Sequence, residues 1–213
     1  MSVFLTNSTY HLALSVMRSL GKRGIDIMAG DVIYYDIGSR YCKKYIKYPD
    51  PGSESFIDVL YDTIKKNRSD ALFPMGNATL MPISKNKKRL EEITSIPIPD
   101  YKTVMKAYDK YETYLSATEL GIPAPRTYLV RNENDLASIS SEIGYPLIMK
   151  PRTSNGSSEG VSRLDSPAGL RSEYLKLKNI FGDILIQEYI PGNNMQMRMV
   201  NVLYDLDSEP IAF

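Results

Sequence analysis

The chain has 213 residues, with 26 Lys and Arg against 25 Asp and Glu, a formal net charge of +1, 43% hydrophobic residues and 24% charged ones. That composition belongs to a folded globular protein with a sizeable core, and the near-neutral balance argues against nucleic acid as the main partner, because a phosphate-tracking surface carries a basic excess. One cysteine, Cys42, and one histidine, His11, exclude an intramolecular disulfide, a thiolate metal cluster and a multi-histidine metal site.

The opening MSVFLTNSTYHLALSV lacks the basic stretch and cleavage pattern of a secretory signal, and no apolar run approaches the ~18 residues of a membrane helix. A cytoplasmic protein with no membrane partner is expected. Val3 to Thr6 reads as a strand, followed by a helix with Leu12, Val16 and Leu20 at four-residue spacing and a glycine stop at Gly21. Strands follow at Ile25 to Ala29 and Tyr45 to Tyr48, then a helix from Phe56 to Lys66 and a strand from Ala71 to Phe73. Strands alternating with helices predict a parallel, doubly wound α/β layer.

Asn77 to Ile93 reads as one helix, and the prolines of IPIPDY mark a boundary between domains at 1–97 and 98–213. Beyond it the pattern predicts helix over Tyr101 to Leu120, a strand at Thr127 to Val130 and a helix through Leu136. A strand at Pro146 to Lys150, a small-residue loop, and a strand at Val161 to Leu164 come next. Last are a helix at Gly169 to Lys178, a strand at Ile184 to Ile190, and a hairpin turning at Asp207 to Glu209. The second half is thus α+β, unlike the first.

Chemistry concentrates around the loop Arg152 to Gly160, which carries Ser154, Asn155, Gly156, Ser157 and Ser158 directly after a strand ending in Lys150. Small residues let backbone N–H groups approach phosphate oxygens, and an ammonium at the strand end offsets their charge. The same composition also suits a plain hairpin turn, and there is no GxxxxGK[ST]. The first layer lacks GxGxxG, so nicotinamide binding through Asp31 is disfavoured. His11 reads as a solvated or satisfied helix residue, the tyrosines Tyr34, Tyr35, Tyr41, Tyr45 and Tyr48 as packing, and Lys85, Lys87, Lys88 and Arg89 as a solvated helix end.

Asp109-Lys110 opening a helix that runs into GIPAPRT, the strand YPLIMKP before the loop, and ILIQEYIPG after it occur in an order that resembles the ATP-grasp superfamily. The likeness is strongest for the branch of the carbamoyl-phosphate synthase large subunit. It implies a Rossmann-like parallel-sheet N-terminal domain followed by the first part of an α+β ATP-grasp domain. It further implies that ATP is the ligand, with Lys110 and Lys150 on its phosphates and Ser154, Asn155, Gly156 and Ser157 in a cover over them. Gln187 or Glu188 carbonyls and the Ile190 amide would meet adenine, Ile148, Ile186 and Tyr189 would wall it, and Glu188 or Asn194 would lie near the ribose.

The reaction so implied is ATP-dependent joining of a carboxylate or bicarbonate to an amine or ammonia through an acyl phosphate. Where the family places a glutamate past the hinge glycine, this chain has Asn193-Asn194. Ligands for Mg²⁺ are expected beyond Phe213, with Asp205, Asp207 and Glu209 serving a turn instead, so this chain alone is expected to be inactive. A half-formed grasp would leave an apolar face favouring a homo-oligomer. The alternative is a nucleotide-binding or interaction module without catalytic activity.

Overall fold

The computed structural model describes residues 1–33, 39–154, 159–192, 198–205 and 207–212. Strands β1 (Ser2–Leu5), β2 (Asp26–Asp31), β3 (Cys42–Lys47) and β4 (Ala71–Phe73) form a parallel sheet in the order β3-β2-β1-β4. Parallel neighbours need crossovers, and helices α1 (His11–Lys22) and α2 (Phe56–Asn67) provide those leading into β2 and β4. The β1 side chains show why both faces are covered: Phe4 packs with Phe56, Leu60, Ile64 and Leu72, while Val3 and Leu5 pack with Ala13, Met17 and Ile27. A sheet buried on both sides yields strands that are apolar almost throughout, as VFL and ALF are.

The helix α1 departs from the sequence expectation in its buried stripe and its end. Ala13 and Met17 are buried, Val16 and Leu20 pack at the margin, and Leu12 is 48% exposed. Gly21 lies inside the helix and does not stop it; a Cβ there would come within 2.4 Å of Tyr41. Close approach of the loop before β3, and not chain termination, therefore explains this glycine. Among the tyrosines, Tyr48 is buried edge-on against Phe56, and its hydroxyl accepts from the Asn7 amide at 2.9 Å. Burial raises the Tyr48 phenol above its ordinary value, consistent with a packing residue. Tyr34 and Tyr35 lie outside the described residues.

The helix expected over Asn77 to Ile93 is divided into α3 (Asn77–Lys85) and α4 (Lys87–Leu90) at Asn86. Lys87 and Arg89 are more engaged than a solvated end requires: Lys87 donates to the Ile98 carbonyl at 2.7 Å, and Arg89 pairs with Asp58 of α2 at 2.6 Å. Ser95 bridges to Ala71 in parallel and Ile96 is buried, which ties this stretch to the first sheet.

After α5 (Tyr101–Tyr108) and α6 (Lys110–Glu119), a second sheet is antiparallel, in the order β5-β8-β6-β7. Its strands are β5 (Thr127–Val130), β6 (Leu147–Pro151), β7 (Ser162–Leu164) and β8 (Ile184–Glu188). Helices α7 (Asp135–Ile143) and α8 (Leu170–Phe181) cover one face, burying Val130, Leu147, Met149, Ile184 and Ile186 against Leu136, Ile139, Tyr174 and Leu177. Strand alternation sends the intervening residues to the other face. The hairpin β9 (Leu203–Tyr204) and β10 (Pro210–Ala212) forms as expected, with Asp205 accepting from the amides of Asp207 and Glu209 at 2.9 Å each.

Candidate functional site

The site begins at a break in a helix. Asp109 adopts an extended conformation between α5 and α6, and its Oδ1 accepts from the amides of Tyr111 and Glu112 at 2.9 and 3.2 Å. This satisfies two of the amides that a helix start leaves without partners. The other carboxylate oxygen of Asp109 receives Arg152 Nε at 2.7 Å, and the Lys110 amide donates to the Arg152 carbonyl at 3.0 Å. The first turn of α6 is thereby fastened to the end of β6. Lys110 is thus carried to the strand end that bears Lys150.

The two ammonium groups are held by neutral partners. Lys110 Nζ donates to Ser154 Oγ at 2.9 Å, and Lys150 Nζ donates to Gln187 Oε1 at 2.8 Å. Gln187 Nε2 in turn donates to Thr127 Oγ1 at 2.7 Å, and Thr127 donates to the Pro125 carbonyl at 2.8 Å. Among the described residues, neither ammonium has a carboxylate within ion-pair distance; the carboxylates nearby are taken by Arg152 and Arg126. Desolvation lowers the Lys110 pKa, with the Asp109 charge opposing the shift. Lys150 is lowered by desolvation and, secondarily, by the charge of Lys110. Two half-buried like charges that form no ion pair among the described residues make a place where an anion is favourable, since an anion relieves both the desolvation and the repulsion.

The ladder fixes which side chains share this face. Ile148 is in register with Gln187 and Arg163, and Lys150 with Leu185, so Ile148, Lys150, Arg163, Leu185 and Gln187 all project away from α7 and α8. Ile186 is paired with Met149 and buried in the helix-covered core, so it is excluded from the wall expected with Ile148. Gln187 lies within β8 between two neighbouring strands, and it is its carboxamide that reaches Lys150.

The Glu188 side chain is taken up by Arg126, whose amide and Nε both donate to Oε2 at 3.2 Å. Those hydrogen bonds hold the Glu188 carboxyl below its ordinary value. The main chain past β8 is freer: no loop hydrogen bond among the described residues uses the amide or carbonyl of Tyr189 or Ile190. The guanidinium of Arg163 sits 4.3 Å from the centre of the Tyr189 ring, which fixes that ring beside the lysine-bearing face.

Asn155, Gly156, Ser157 and Asn194 lie outside the described residues. Sequence reasoning missed Asp109 as a cap, Arg152 as the clasp, Thr127 and Arg163. Only the Asp109 cap left a sequence signal, an acid directly before a helix-forming run. For Mg²⁺, no group of three or more His, Cys, Asp or Glu side chains converges among the described residues. Nor is any helix there long and apolar enough to cross a membrane.

No family model matches the chain. Over 93 residues it is 30% identical to the D-alanine–D-alanine ligase of Neisseria meningitidis serogroup C, covering 44% of this chain and 30% of that protein. Its fold is similar to that of the L-amino acid ligase from Bacillus licheniformis, with a TM-score of 0.69 and 18% identity over 90% of this chain and 44% of that one. It is likewise similar to an ADP complex of N5-carboxyaminoimidazole ribonucleotide synthetase, with a TM-score of 0.71 and 18% identity over 89% of this chain and 47% of that one. The matched stretches therefore cover less than half of each of these proteins. The fold is that of the ATP-grasp enzymes.

Proposed function

We propose that this member of the ATP-grasp superfamily binds ATP on the lysine-bearing face of its antiparallel sheet and serves ATP-dependent joining of a carboxylate to an amine. The observation that carries the proposal is the pair Lys110 and Lys150, desolvated, mutually repelling and, among the described residues, held by the neutral groups of Ser154 and Gln187. An incoming polyphosphate would replace two neutral acceptors with charged oxygens, and charge-assisted hydrogen bonds are roughly twice as strong as neutral ones. Adenine would lie past β8, where the main chain of Tyr189 and Ile190 offers one donor and one acceptor and Ile148 and Tyr189 supply apolar contact.

In this reading residues 1–97 form a domain that precedes the grasp and residues 98–213 contribute its lysine-bearing half. The lysines neutralise charge on the transferring phosphoryl group, and the fastened start of α6 holds Lys110 in place for it. The acyl phosphate that results when a carboxylate takes the γ-phosphoryl group would then be open to an amine. The described residues supply cations and hydrogen-bond donors but no Mg²⁺ ligand set. Assignment to the carbamoyl-phosphate-synthase-like branch would make the acid bicarbonate; the D-alanine–D-alanine ligase relative supports the broader carboxylate–amine class.

The test is calorimetric titration with ATP and a non-hydrolysable analogue, with and without Mg²⁺, on the unaltered chain and on Lys110→Ala and Lys150→Ala. Each substitution is expected to weaken nucleotide binding by roughly 10-fold to 100-fold, the worth of one hydrogen bond to a charged group. No binding at millimolar nucleotide, or unchanged affinity in both variants, would overturn the proposal.

A further inference from the structure

Beside the lysine pair, between the end of the parallel sheet and the helix preceding Lys110, the chain forms an open cavity of about 540 Å³. Its walls are formed by Leu80 of α3, by Ile98, and by Val104, Ala107 and Tyr108 of α5. Lys110 and Ser154, joined to each other at 2.9 Å, stand at its edge. The other polar side chains lining it, Asn77 and Thr103, are neutral, and none of the lining residues among those described is acidic. Two prolines at its margin, Pro74 and Pro99, bring no backbone N–H.

We propose that this cavity receives the apolar tail of an organic monocarboxylic acid that lacks an α-ammonium group, with its carboxylate turned toward Lys110. The proposal names the acid used at the site proposed above, and rests on Lys110 marking where phosphate and carboxylate meet. Size is the first argument: the volume falls within the ~300–1,000 Å³ of ligand pockets, far more than bicarbonate could fill. Lining is the second, because each methylene moved from water to apolar walls gains roughly fourfold in affinity. Charge is the third: an ammonium beside the carboxylate would find no acidic partner among the described lining residues and would stand close to the Lys110 charge, and an unpaired charge drawn out of water is costly.

The experiment titrates the whole chain, saturated with a non-hydrolysable ATP analogue, with 4-methylpentanoate, acetate and leucine by calorimetry. The same titrations are made on Ala107→Phe, which fills the cavity from an exposed helix position, and on Lys110→Gln. We expect 4-methylpentanoate to bind at least tenfold more tightly than acetate or leucine. Ala107→Phe should erase that preference while analogue affinity stays within twofold, which also shows that the variant is folded. Lys110→Gln should weaken 4-methylpentanoate at least fivefold.

Equal binding of the three acids, a preference that survives Ala107→Phe, or no acid binding at all would overturn the assignment. If the analogue fails to bind, the titration is repeated without it. Acid preference retained there would leave the cavity assignment standing while the nucleotide proposal falls, and nucleotide binding without acid preference would be the converse.

Discussion

Lys150 and Gln187 are diagonal neighbours on one face of the β6 and β8 ladder, and the ammonium donates to the carboxamide oxygen at 2.8 Å. The Gln187 carboxamide cannot flip freely, because its nitrogen is held by Thr127 Oγ1 at 2.7 Å. A neutral acceptor aims the lysine without neutralising it, which leaves the charge to be satisfied by a ligand.

Gln187→Glu should convert that arrangement into an ion pair. The new carboxylate would compete with phosphate for Lys150, and roughly a tenfold loss in ATP affinity is expected, about 1.4 kcal/mol. Thermal unfolding should be unchanged or slightly raised. Calorimetric titration paired with a melting curve separates the two effects, and an unaltered affinity would show that Lys150 does not meet the nucleotide.

Both site lysines have depressed pKa values in the folded chain, through desolvation first and, for Lys150, the charge of Lys110 second. In the window between the depressed values and the ordinary lysine value near 10.5, the unfolded chain binds more protons, so stability from these groups rises with pH there and is lost as pH falls through the folded values. Phosphate favours the charged forms, so nucleotide binding in that window should take up protons and weaken as pH rises. Titration in buffers of different ionisation enthalpy measures the uptake, which should shrink in Lys150→Ala; zero uptake in the unaltered chain would contradict the coupling.

Asp109→Ala removes a helix cap and the carboxylate that holds Arg152 at 2.7 Å. Losing a cap costs about 1 kcal/mol, and breaking a partly buried pair adds to it, so a total of roughly 2–4 kcal/mol is expected in urea unfolding. Asp109→Asn, which retains an acceptor for the Tyr111 and Glu112 amides, should recover about 1 kcal/mol of this. Equal losses in the two variants would mean that the cap contributes nothing.

In an open helix, Gly21→Ala would stabilise by up to about 1 kcal/mol through helix propensity. Here the added Cβ would lie within 2.4 Å of the Cβ of Tyr41, an atom too close to the backbone to swing aside. Overpacking of roughly 1–3 kcal/mol outweighs the propensity gain, so a lower melting temperature is expected. A higher one would place Tyr41 elsewhere.

Much of the architecture was legible along the chain because local signals carry it. The alternation of short apolar runs with amphipathic helices dictated a parallel layer, and the runs PLIMK and ILIQE could be read as strands, although the register between them could not. Lys150 could be singled out because it ends an apolar strand before a run of small residues. What the chain did not disclose was which groups meet across long separations. Lys110 finds Ser154 44 residues away and Arg152 finds Asp109 43 residues away, pairings set by sheet order and helix docking. Face was undetermined for the same reason: Ile148 and Ile186 are equally apolar, and only the two helices laid on one side decide that Ile186 is core while Ile148 stands beside Lys150.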